Sequence, residues 1–343
     1  TKFISNNEIA LLDEAGNVKN RLTGDKIVIN TGAQANIPNI KGIDTTKNIY
    51  DSTGLLNIDF QSQELVIVGG GYIALEFASM FSNLGSNVTV LEYGNVMMPR
   101  EDREVAELAI QDLRNKGISV YTNVETTAFS NEGDATIVHT NQGDFKSDAV
   151  LLATGRKPNT DGLGLENTDI NIGQHGEIVV NDKLQTTVEH IYAAGDVKGG
   201  LQFTYISLDD FRILQSQFFG DGTRTTENRG IIPYTVFIDP PLSRVGLTAT
   251  EAKAQGFNFL ENKIYVNTIP RHKINNNPRG VFKVVINQDN NEILGASLYG
   301  KESEELINII KLAIDQHIPY TVLRDNIYTH PTMAESFNDL FKL

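Results

Sequence analysis

Blocks of apolar residues, separated by glycine turns and polar stretches, predict a mixed α/β fold. Residues 65–68 are four consecutive apolar residues, which predict a buried strand, and three glycines follow at 69–71. Apolar residues then recur at helical spacing as far as Phe81, and Gly85 is placed to end the helix. The pattern therefore predicts a strand, a tight turn and a helix in direct succession, with a second strand at 88–91.

The rest of the chain contains both strand-like and helix-like patterns of apolar residues. The first 20 residues alternate weakly between apolar and polar, which predicts part of a β-meander. Further strands are predicted at 26–33, 119–121, 136–139, 149–152, 178–180, 191–194 and 234–238, a hairpin at 281–287 and 292–299, and helices at 101–117, 204–220, 249–255, 302–316 and 320–325.

The glycine turn has the chemistry of a dinucleotide phosphate site. Gly69 allows a tight turn, Gly71 lets the backbone approach a pyrophosphate, and Ala74 permits close packing of the helix on the strand. The free N–H groups of the helix N-terminus favour the anion. Glu92 follows the second strand, about twenty residues on, where an acid binds a ribose diol. A tight turn in an unrelated α/β domain is the alternative interpretation.

Composition and charge narrow the class of protein. The chain has 343 residues, of which 40% are hydrophobic, so two to three domains with a substantial core are expected. The net charge of −14 argues against a nucleic-acid partner. No apolar run approaches the length of a membrane span, and a cytoplasmic location is expected.

The sequence contains no cysteine. Disulfides, thiolate metal sites and thiol nucleophiles are therefore excluded within these residues, and no metal site is predicted.

Four further motifs are weak signals when they are taken one at a time. Two strands end in Thr-Gly, at Gly32 and Gly155, and Asp196 follows a buried strand and a glycine. Asp196 is placed to bind a chain of hydroxyls, although capping of a following helix is the more common role. His330 precedes Glu335 by five residues near the C-terminus, where a packing or surface histidine is the alternative.

In this order, the motifs resemble those of the pyridine nucleotide-disulfide oxidoreductases. These are the FAD-dependent relatives of glutathione reductase and dihydrolipoamide dehydrogenase, and the resemblance covers the whole chain. Residues 201–210, 240–246 and 328–333 are most similar to the reactive-chlorine-resistance, hypothiocyanous acid reductase branch.

The resemblance implies a domain order. A Rossmann-like NAD(P)-binding domain over residues 61–160 would be inserted in a partial FAD domain, formed by a remnant at 1–60 and a returning segment at 161–228. An α+β domain at 229–343 would form a homodimer.

It also implies roles on the NAD(P) side. Gly69, Gly71 and Ala74 would hold the NAD(P) pyrophosphate, Glu76 would lie near the nicotinamide, and Glu92 would bind the adenosine ribose. Because a carboxylate repels a 2′-phosphate, NADH is expected over NADPH.

On the flavin side, Gly32 and Gly155 would belong to the cofactor-binding turns. Asp196 would hydrogen-bond the ribityl chain of FAD. The helix that begins near Thr204 would direct its N-terminus at the flavin, where its partial positive charge stabilises the reduced anion.

At the C-terminus, His330 and Glu335 would form a dyad that serves the active site of the partner subunit. The carboxylate would orient the imidazole, which accepts a proton from a thiol and returns it. Pro331 is expected at the first position of a helix.

The sequence departs from the family in its missing thiols. The FAD-binding glycine motif and the redox-active cysteine pair of the family are absent, so an N-terminally truncated fragment is expected, which binds FAD poorly and has no disulfide reductase activity. Many members carry another histidine two residues before the catalytic one, whereas this chain has Tyr328 followed by Thr329, which disfavours lipoamide or glutathione. The C-terminus lacks the paired cysteines of mercuric reductases, which disfavours mercury.

The function expected from these observations is that of an NAD(P)H-dependent flavoenzyme. Hydride would pass from NAD(P)H to FAD, then electrons to a cysteine pair and on to a small oxidant or disulfide, such as hypothiocyanous acid. Dihydrolipoamide dehydrogenase is the alternative enzyme. A non-catalytic nucleotide-binding and dimerisation fragment is the alternative from another class.

Overall fold

The computed structural model describes residues 1–343 and contains two compact units. The smaller unit comprises residues 1–36 and 155–230, and the larger comprises 37–154 and 231–343.

Twenty strands are present, and most are short. They are β1 (Lys2–Ser5), β2 (Glu8–Leu12), β3 (Val18–Leu22), β4 (Ile27–Ile29), β5 (Ala33–Ala35), β6 (Ile49–Tyr50), β7 (Glu64–Val68), β8 (Asn87–Leu91), β9 (Ser119–Tyr121), β10 (Thr126–Glu132), β11 (Ala135–Thr140), β12 (Gly143–Ser147), β13 (Ala149–Leu152), β14 (Arg156–Pro158), β15 (Ile191–Ala193), β16 (Tyr234–Val236), β17 (Leu242–Gly246), β18 (Phe259–Tyr265), β19 (Val281–Asn287) and β20 (Ile293–Tyr299).

Nine α-helices are present, and none is long and apolar enough to cross a membrane. They are α1 (Ser52–Leu55), α2 (Tyr72–Asn83), α3 (Arg103–Asn115), α4 (Thr204–Phe219), α5 (Ala249–Ala254), α6 (Pro270–Ile274), α7 (Ser303–Asp315), α8 (Tyr320–Asp325) and α9 (Phe337–Leu340).

The smaller unit is built from small sheets and one long helix. Strands β1–β3 form the predicted antiparallel meander, β4 pairs in parallel with β15, and β5 pairs with β14. Its apolar core includes Phe3, Ile29, Ile178 and Ile191, so segments far apart in sequence meet there. The predicted strand at 178–180 is absent, because Ile178 makes only an isolated bridge and Val179 is exposed.

The dinucleotide-type part of the larger unit is a parallel sheet in the order β6-β13-β7-β8-β9. Its buried strands are continuous apolar runs because helices cover the sheet faces. Helix α2 ends as predicted, with Gly85 in the left-handed conformation at φ 99°. Helix α3 begins after Asp102, whose side chain accepts a hydrogen bond from Val105 N–H.

Residues 37–60 belong to this larger unit. Strand β6 pairs with β13, and Leu55 of α1 is buried in the core beneath the parallel sheet. Residues 1–36 thus lie in the smaller unit and residues 37–60 in the larger one, while the domain bounds expected from the sequence stay a prediction.

The C-terminal part of the larger unit is an antiparallel sheet in the order β16-β17-β20-β19-β18, packed against α7 and α9. The predicted hairpin and helices are present, and a capping box of Thr248 and Glu251 begins α5. Val236, Leu242 and Tyr299 from this sheet lie in the same buried cluster as Leu65 and Ile67 of β7. One apolar core therefore joins residues 37–154 to residues 231–343. The α/β fold class is confirmed.

Candidate functional site

The glycine turn joins β7 to α2, and its first glycine is fixed by packing. Gly69 has a φ of 110°, a conformation that residues with a side chain rarely adopt. A Cβ at this position would lie 2.4 Å from the carbonyl oxygen of Ala153, at the end of the neighbouring strand. The turn therefore needs glycine here both for its backbone conformation and for the space.

The second glycine gives room to the carboxylate that follows the next strand. A Cβ on Gly70 would lie 2.6 Å from Glu92 Oε2 and 2.8 Å from Met97 Cε. The other oxygen of Glu92 accepts a hydrogen bond of 2.5 Å from Gly94 N–H. The acid predicted to bind ribose thus lies directly beside the turn, and its orientation is fixed by its own loop.

The third glycine faces open space. Gly71 is the N-cap of α2, with φ −73° and ψ −178°, and no side chain caps the helix. A Cβ built on Gly71 meets nothing within 4 Å, whereas Ala74, one turn further on, is fully buried. The N–H groups of the first turn are therefore free to bind an anion, and the backbone is open to its approach.

Glu76 lies on the same helix but makes a different contact. Its Oε1 accepts a hydrogen bond of 2.8 Å from Phe237 N–H, just beyond β16. Burial raises the pKa of the Glu76 carboxyl, and the hydrogen bond from Phe237 partly offsets this effect. The side chain borders a cleft of about 370 Å³ that is also lined by Ser52, Thr53, Leu56, Asn57, Ile73 and Phe77.

The flavin-side residues lie in the smaller unit. Gly32 and Gly155 both have positive φ, 73° and 104°. A Cβ added at either glycine would have no atom within 4 Å. Their turns are tied together because Asn159 N–H donates to Gly32 carbonyl oxygen and Asn36 N–H donates to Gly155 carbonyl oxygen. The two Thr-Gly motifs are distant in sequence but therefore lie next to each other in the structure.

Asp196 lies inside a short 3-10 helix, Gly195–Lys198, whose N-cap is Ala194. Helix capping by Asp196, the alternative considered from sequence, is therefore not its role. Its half-exposed carboxylate makes no hydrogen bond or ion pair within the chain. Thr204 is the first residue of α4, and no side chain caps that helix. The Asp196 carboxylate is therefore free to bind hydroxyl groups, and the first N–H groups of α4 are free to face an electron-rich ring.

A buried charge network supports the Asp196 turn, and it was missed from sequence. Asp210 is fully buried and accepts a hydrogen bond of 2.8 Å from Gly195 N–H. It also pairs with Lys198 at 3.3 Å and Arg229 at 2.6 Å. The spacing of Asp210, Lys198 and Arg229 in the sequence gives no sign of this network. The one available signal was an aspartate on the buried face of a predicted helix.

His330 and Glu335 form the predicted pair. His330 Nδ1 lies 2.7 Å from Glu335 Oε2, and the histidine side chain is 73% exposed while that of Glu335 is 16% exposed. The carboxylate thus orients the ring from the buried side and leaves Nε2 exposed to solvent.

The prediction that Pro331 begins a helix is wrong. Residues 330–333 form a turn in which the Thr332 hydroxyl donates to the Thr329 carbonyl oxygen, and the first helical residue is Ala334. The His330–Pro331 peptide is cis. The dyad forms across this turn rather than along a helix.

An open, uncapped glycine turn beside a ribose-type acid belongs to the dinucleotide-binding class of α/β enzymes. The family model for pyridine nucleotide-disulphide oxidoreductases matches residues 1–210, and the model for the dimerisation domain of the same family matches residues 232–341. The chain belongs to the pyridine nucleotide-disulfide oxidoreductases. These are flavin-dependent enzymes that use FAD and NAD(P)H.

Several relatives are similar over most of this chain. The probable pyridine nucleotide-disulfide oxidoreductase RclA of Escherichia coli K12 is 46% identical over 342 residues, which cover 100% of this chain and 77% of the relative. Dihydrolipoyl dehydrogenase of Bacillus subtilis is 31% identical, covering 94% and 69%. Mercuric reductase of Staphylococcus aureus is 31% identical, covering 92% of this chain and 58% of the relative.

Among solved structures, the HOCl-induced flavoprotein disulfide reductase RclA from Escherichia coli matches with a TM-score of 0.95 at 45% identity. The match covers 100% of this chain and 78% of that one. The family expected from the order of motifs is thus confirmed.

The residues present fit both cofactors of the family. The open approach to Gly71 and the position of Glu92 suit a dinucleotide, while the unpartnered Asp196 carboxylate and the uncapped α4 suit a flavin. No group of three or more His, Asp or Glu side chains is arranged to hold a metal ion.

Proposed function

We propose that this chain supplies the NADH site and the dimer interface of a flavoprotein reductase that acts on a small oxidant, such as hypothiocyanous acid. The open glycine turn with Glu92 beside it is the observation that carries this proposal. The similarity to RclA, described as HOCl-induced, supports an oxidant of the reactive-chlorine type.

At the dinucleotide site, Gly69 and Gly71 shape the turn, and Ala74 lets α2 approach β7 closely. The first amides of α2 bind the pyrophosphate, and Glu92 accepts from the ribose hydroxyls. A 2′-phosphate would meet the Glu92 carboxylate, so NADH is the preferred nucleotide. Glu76, held by Phe237 N–H, borders the nicotinamide end of the site.

On the flavin side, Asp196 binds the ribityl hydroxyls, and Gly32 and Gly155 form the turns around the cofactor. When bound, FAD would supply the acceptor for the hydride of NADH and the source of electrons for a thiol pair. The amides at Thr204 place positive partial charge near the ring. These 343 residues contain no cysteine, so the thiols are not within them.

His330 and Glu335 handle the proton. With Nδ1 held by Glu335, the exposed Nε2 takes a proton from a thiol and gives it back to the product. We assign the dimer interface to residues 231–343, so that His330 serves the partner subunit's site. Exposed apolar side chains of α7 and α8, such as Leu312 and Val322, suit such an interface. We assign the protein to the cytoplasm, where NADH is available to the site.

The test begins with nucleotide binding. The purified chain is titrated with NADH and NADPH by calorimetry, and NADH is expected to bind about tenfold more tightly because of the Glu92 carboxylate. FAD is expected to bind weakly, with no turnover of NADH and a disulfide by these residues alone. Absence of NADH binding would refute the proposed site.

The substrate is tested in a form of the protein that carries the cysteine pair of the family. NADH oxidation is followed with hypothiocyanous acid and, separately, with lipoamide. Faster turnover with lipoamide would replace our proposal with dihydrolipoamide dehydrogenase. His330→Gln is expected to lower turnover about 10²-fold or more without changing nucleotide affinity.

A further inference from the structure

Glu101 is a buried carboxylate that joins two distant parts of the larger unit. It is 4% exposed, and its Oε1 lies 2.5 Å from the hydroxyl of Tyr72 and 2.7 Å from that of Tyr234. The two tyrosine rings stack at a centroid distance of 5.9 Å. Tyr234 and Glu101 are 133 residues apart in sequence.

The direction of these hydrogen bonds is fixed. Burial, followed by the charge of Glu101, raises the pKa of Tyr72 to about 12. The same two causes raise the pKa of Tyr234. Both phenols therefore stay protonated at neutral pH, and both donate to the same carboxylate oxygen. Hydrogen bonds to a charged acceptor are among the stronger kind.

The two tyrosines occupy informative positions. Tyr72 is the first residue of α2 and directly follows Gly71, so it lies at the uncapped end of the helix. Tyr234 is the first residue of β16 in the C-terminal sheet.

The loop that carries Glu101 is itself held from the C-terminal sheet. Arg244 donates to the carbonyl oxygen of Arg100, and buried Lys283 pairs with Asp102 at 2.9 Å. Earlier in the same loop, Met97 packs beside Gly70. The nucleotide-facing loop and the helix N-terminus therefore share one anchor.

We propose that Glu101 is a positioning residue for the dinucleotide site, which fixes the pyrophosphate-binding amides of α2 to the C-terminal sheet through the hydroxyls of Tyr72 and Tyr234. This inference rests on the proposed nucleotide site. It makes pyrophosphate affinity depend on a residue of the dimerisation domain that touches no nucleotide.

The experiment compares two ligands that differ in the pyrophosphate. The full chain is titrated with ADP and with adenosine by calorimetry or ligand-observed NMR. Tyr234→Phe is expected to weaken ADP binding about fivefold, the lower end of ordinary coupling between sites. Adenosine binding is expected to stay within twofold, because Glu92 is held at the end of β8 by backbone hydrogen bonds with Tyr121 and Val124 and not by Glu101.

Tyr299→Phe is the matched control. The Tyr299 hydroxyl lies 2.8 Å from Asp112 Oδ2 and likewise joins the C-terminal sheet to the dinucleotide part, but at α3. Each variant removes one buried phenol–carboxylate hydrogen bond. Similar losses of melting temperature are expected, with weaker ADP binding only for Tyr234→Phe.

Tyr72→Phe and the double variant complete the test. Because both hydroxyls act through one oxygen, the losses of ADP affinity are expected to be less than additive. Equal weakening by Tyr299→Phe, equal weakening of adenosine, or unchanged ADP binding in Tyr234→Phe would each overturn the inference. If the wild-type chain fails to bind ADP and NADH at all, the proposed nucleotide site itself fails.

Discussion

The glycine turn and the His330–Glu335 pair are the two most specific sequence motifs of the chain, but the fold holds them very differently. At the turn, Gly69 and Gly70 are enclosed by the backbone of Ala153 and by the side chains of Glu92 and Met97. His330 is 73% exposed, and one carboxylate orients it.

The geometry of the glycine turn therefore depends on the surrounding fold, whereas that of the His330–Glu335 pair depends mainly on one contact. The turn is determined by packing within one parallel sheet, so its geometry is complete inside the larger unit. The histidine has an orienting partner but no surrounding wall, which is compatible with our proposal that it completes a site in the partner subunit. Substitutions at the turn should therefore change stability, nucleotide binding or both, and those at His330 should change neither.

The largest effect is expected for Gly69→Ala. A side chain at φ 110° is strained, and its Cβ would lie 2.4 Å from the Ala153 carbonyl oxygen. Together these effects are expected to cost about 3 kcal/mol of the free energy of unfolding. Urea denaturation measures the loss. A variant as stable as the wild type would show that the turn is not constrained by packing.

Gly71→Ala is expected to change binding rather than stability. Its backbone at φ −73° suits alanine, and the added Cβ has no neighbour within 4 Å. The methyl group instead fills the space that a pyrophosphate approaches, so NADH affinity should fall about tenfold or more. Calorimetry measures the affinity, and urea denaturation checks that the free energy of unfolding is unchanged. Unchanged NADH affinity would move the phosphate site elsewhere.

A smaller effect is expected for Glu92→Gln. Glutamine keeps an oxygen for the hydrogen bond from Gly94 N–H but removes the charge that repels a 2′-phosphate. The ratio of NADH to NADPH affinity is expected to fall about fivefold, or roughly 1 kcal/mol. Parallel titrations with the two nucleotides give the ratio. The assignment of Glu92 to the ribose fails if the ratio is unchanged.

The smallest effect on stability and nucleotide binding is expected for His330→Gln. Because the side chain is largely exposed and makes one contact, stability should change by less than about 0.5 kcal/mol. NADH affinity should stay within twofold. A large loss of either would mean that the histidine is part of the folded framework, and the contrast with the turn would disappear.

The sequence predicts the turn well because all of its parts lie within one short stretch. The strand, the glycines, the helix and Glu92 are contiguous, and each has a periodicity or residue type that indicates its role. The pairing of His330 with Glu335 was expected from the family resemblance, and the structure shows the contact between the two side chains. The prediction of a helix at Pro331 is wrong. The preference of proline for the first helical position is a local one, and in the structure the helix begins three residues later, at Ala334.

Networks between distant segments carry no such signal. The bonds of Glu101 to Tyr72 and Tyr234, and of Asp210 to Lys198 and Arg229, depend on how the segments pack in three dimensions. Strand β18 was missed for a related reason. Its residues are mostly half-exposed or exposed, so its apolar alternation is weak, and its place follows from pairing with β19.

The apolar core shared by Leu65 and Ile67 with Val236 and Tyr299 has a consequence for how this chain could evolve. Two sheets that bury one another's side chains should open together, so amide hydrogens of β7 and β20 are expected to exchange with solvent at similar slow rates. Recombination that moved residues 37–154 alone would expose this surface. The dinucleotide part and the C-terminal sheet are therefore expected to fold as one unit.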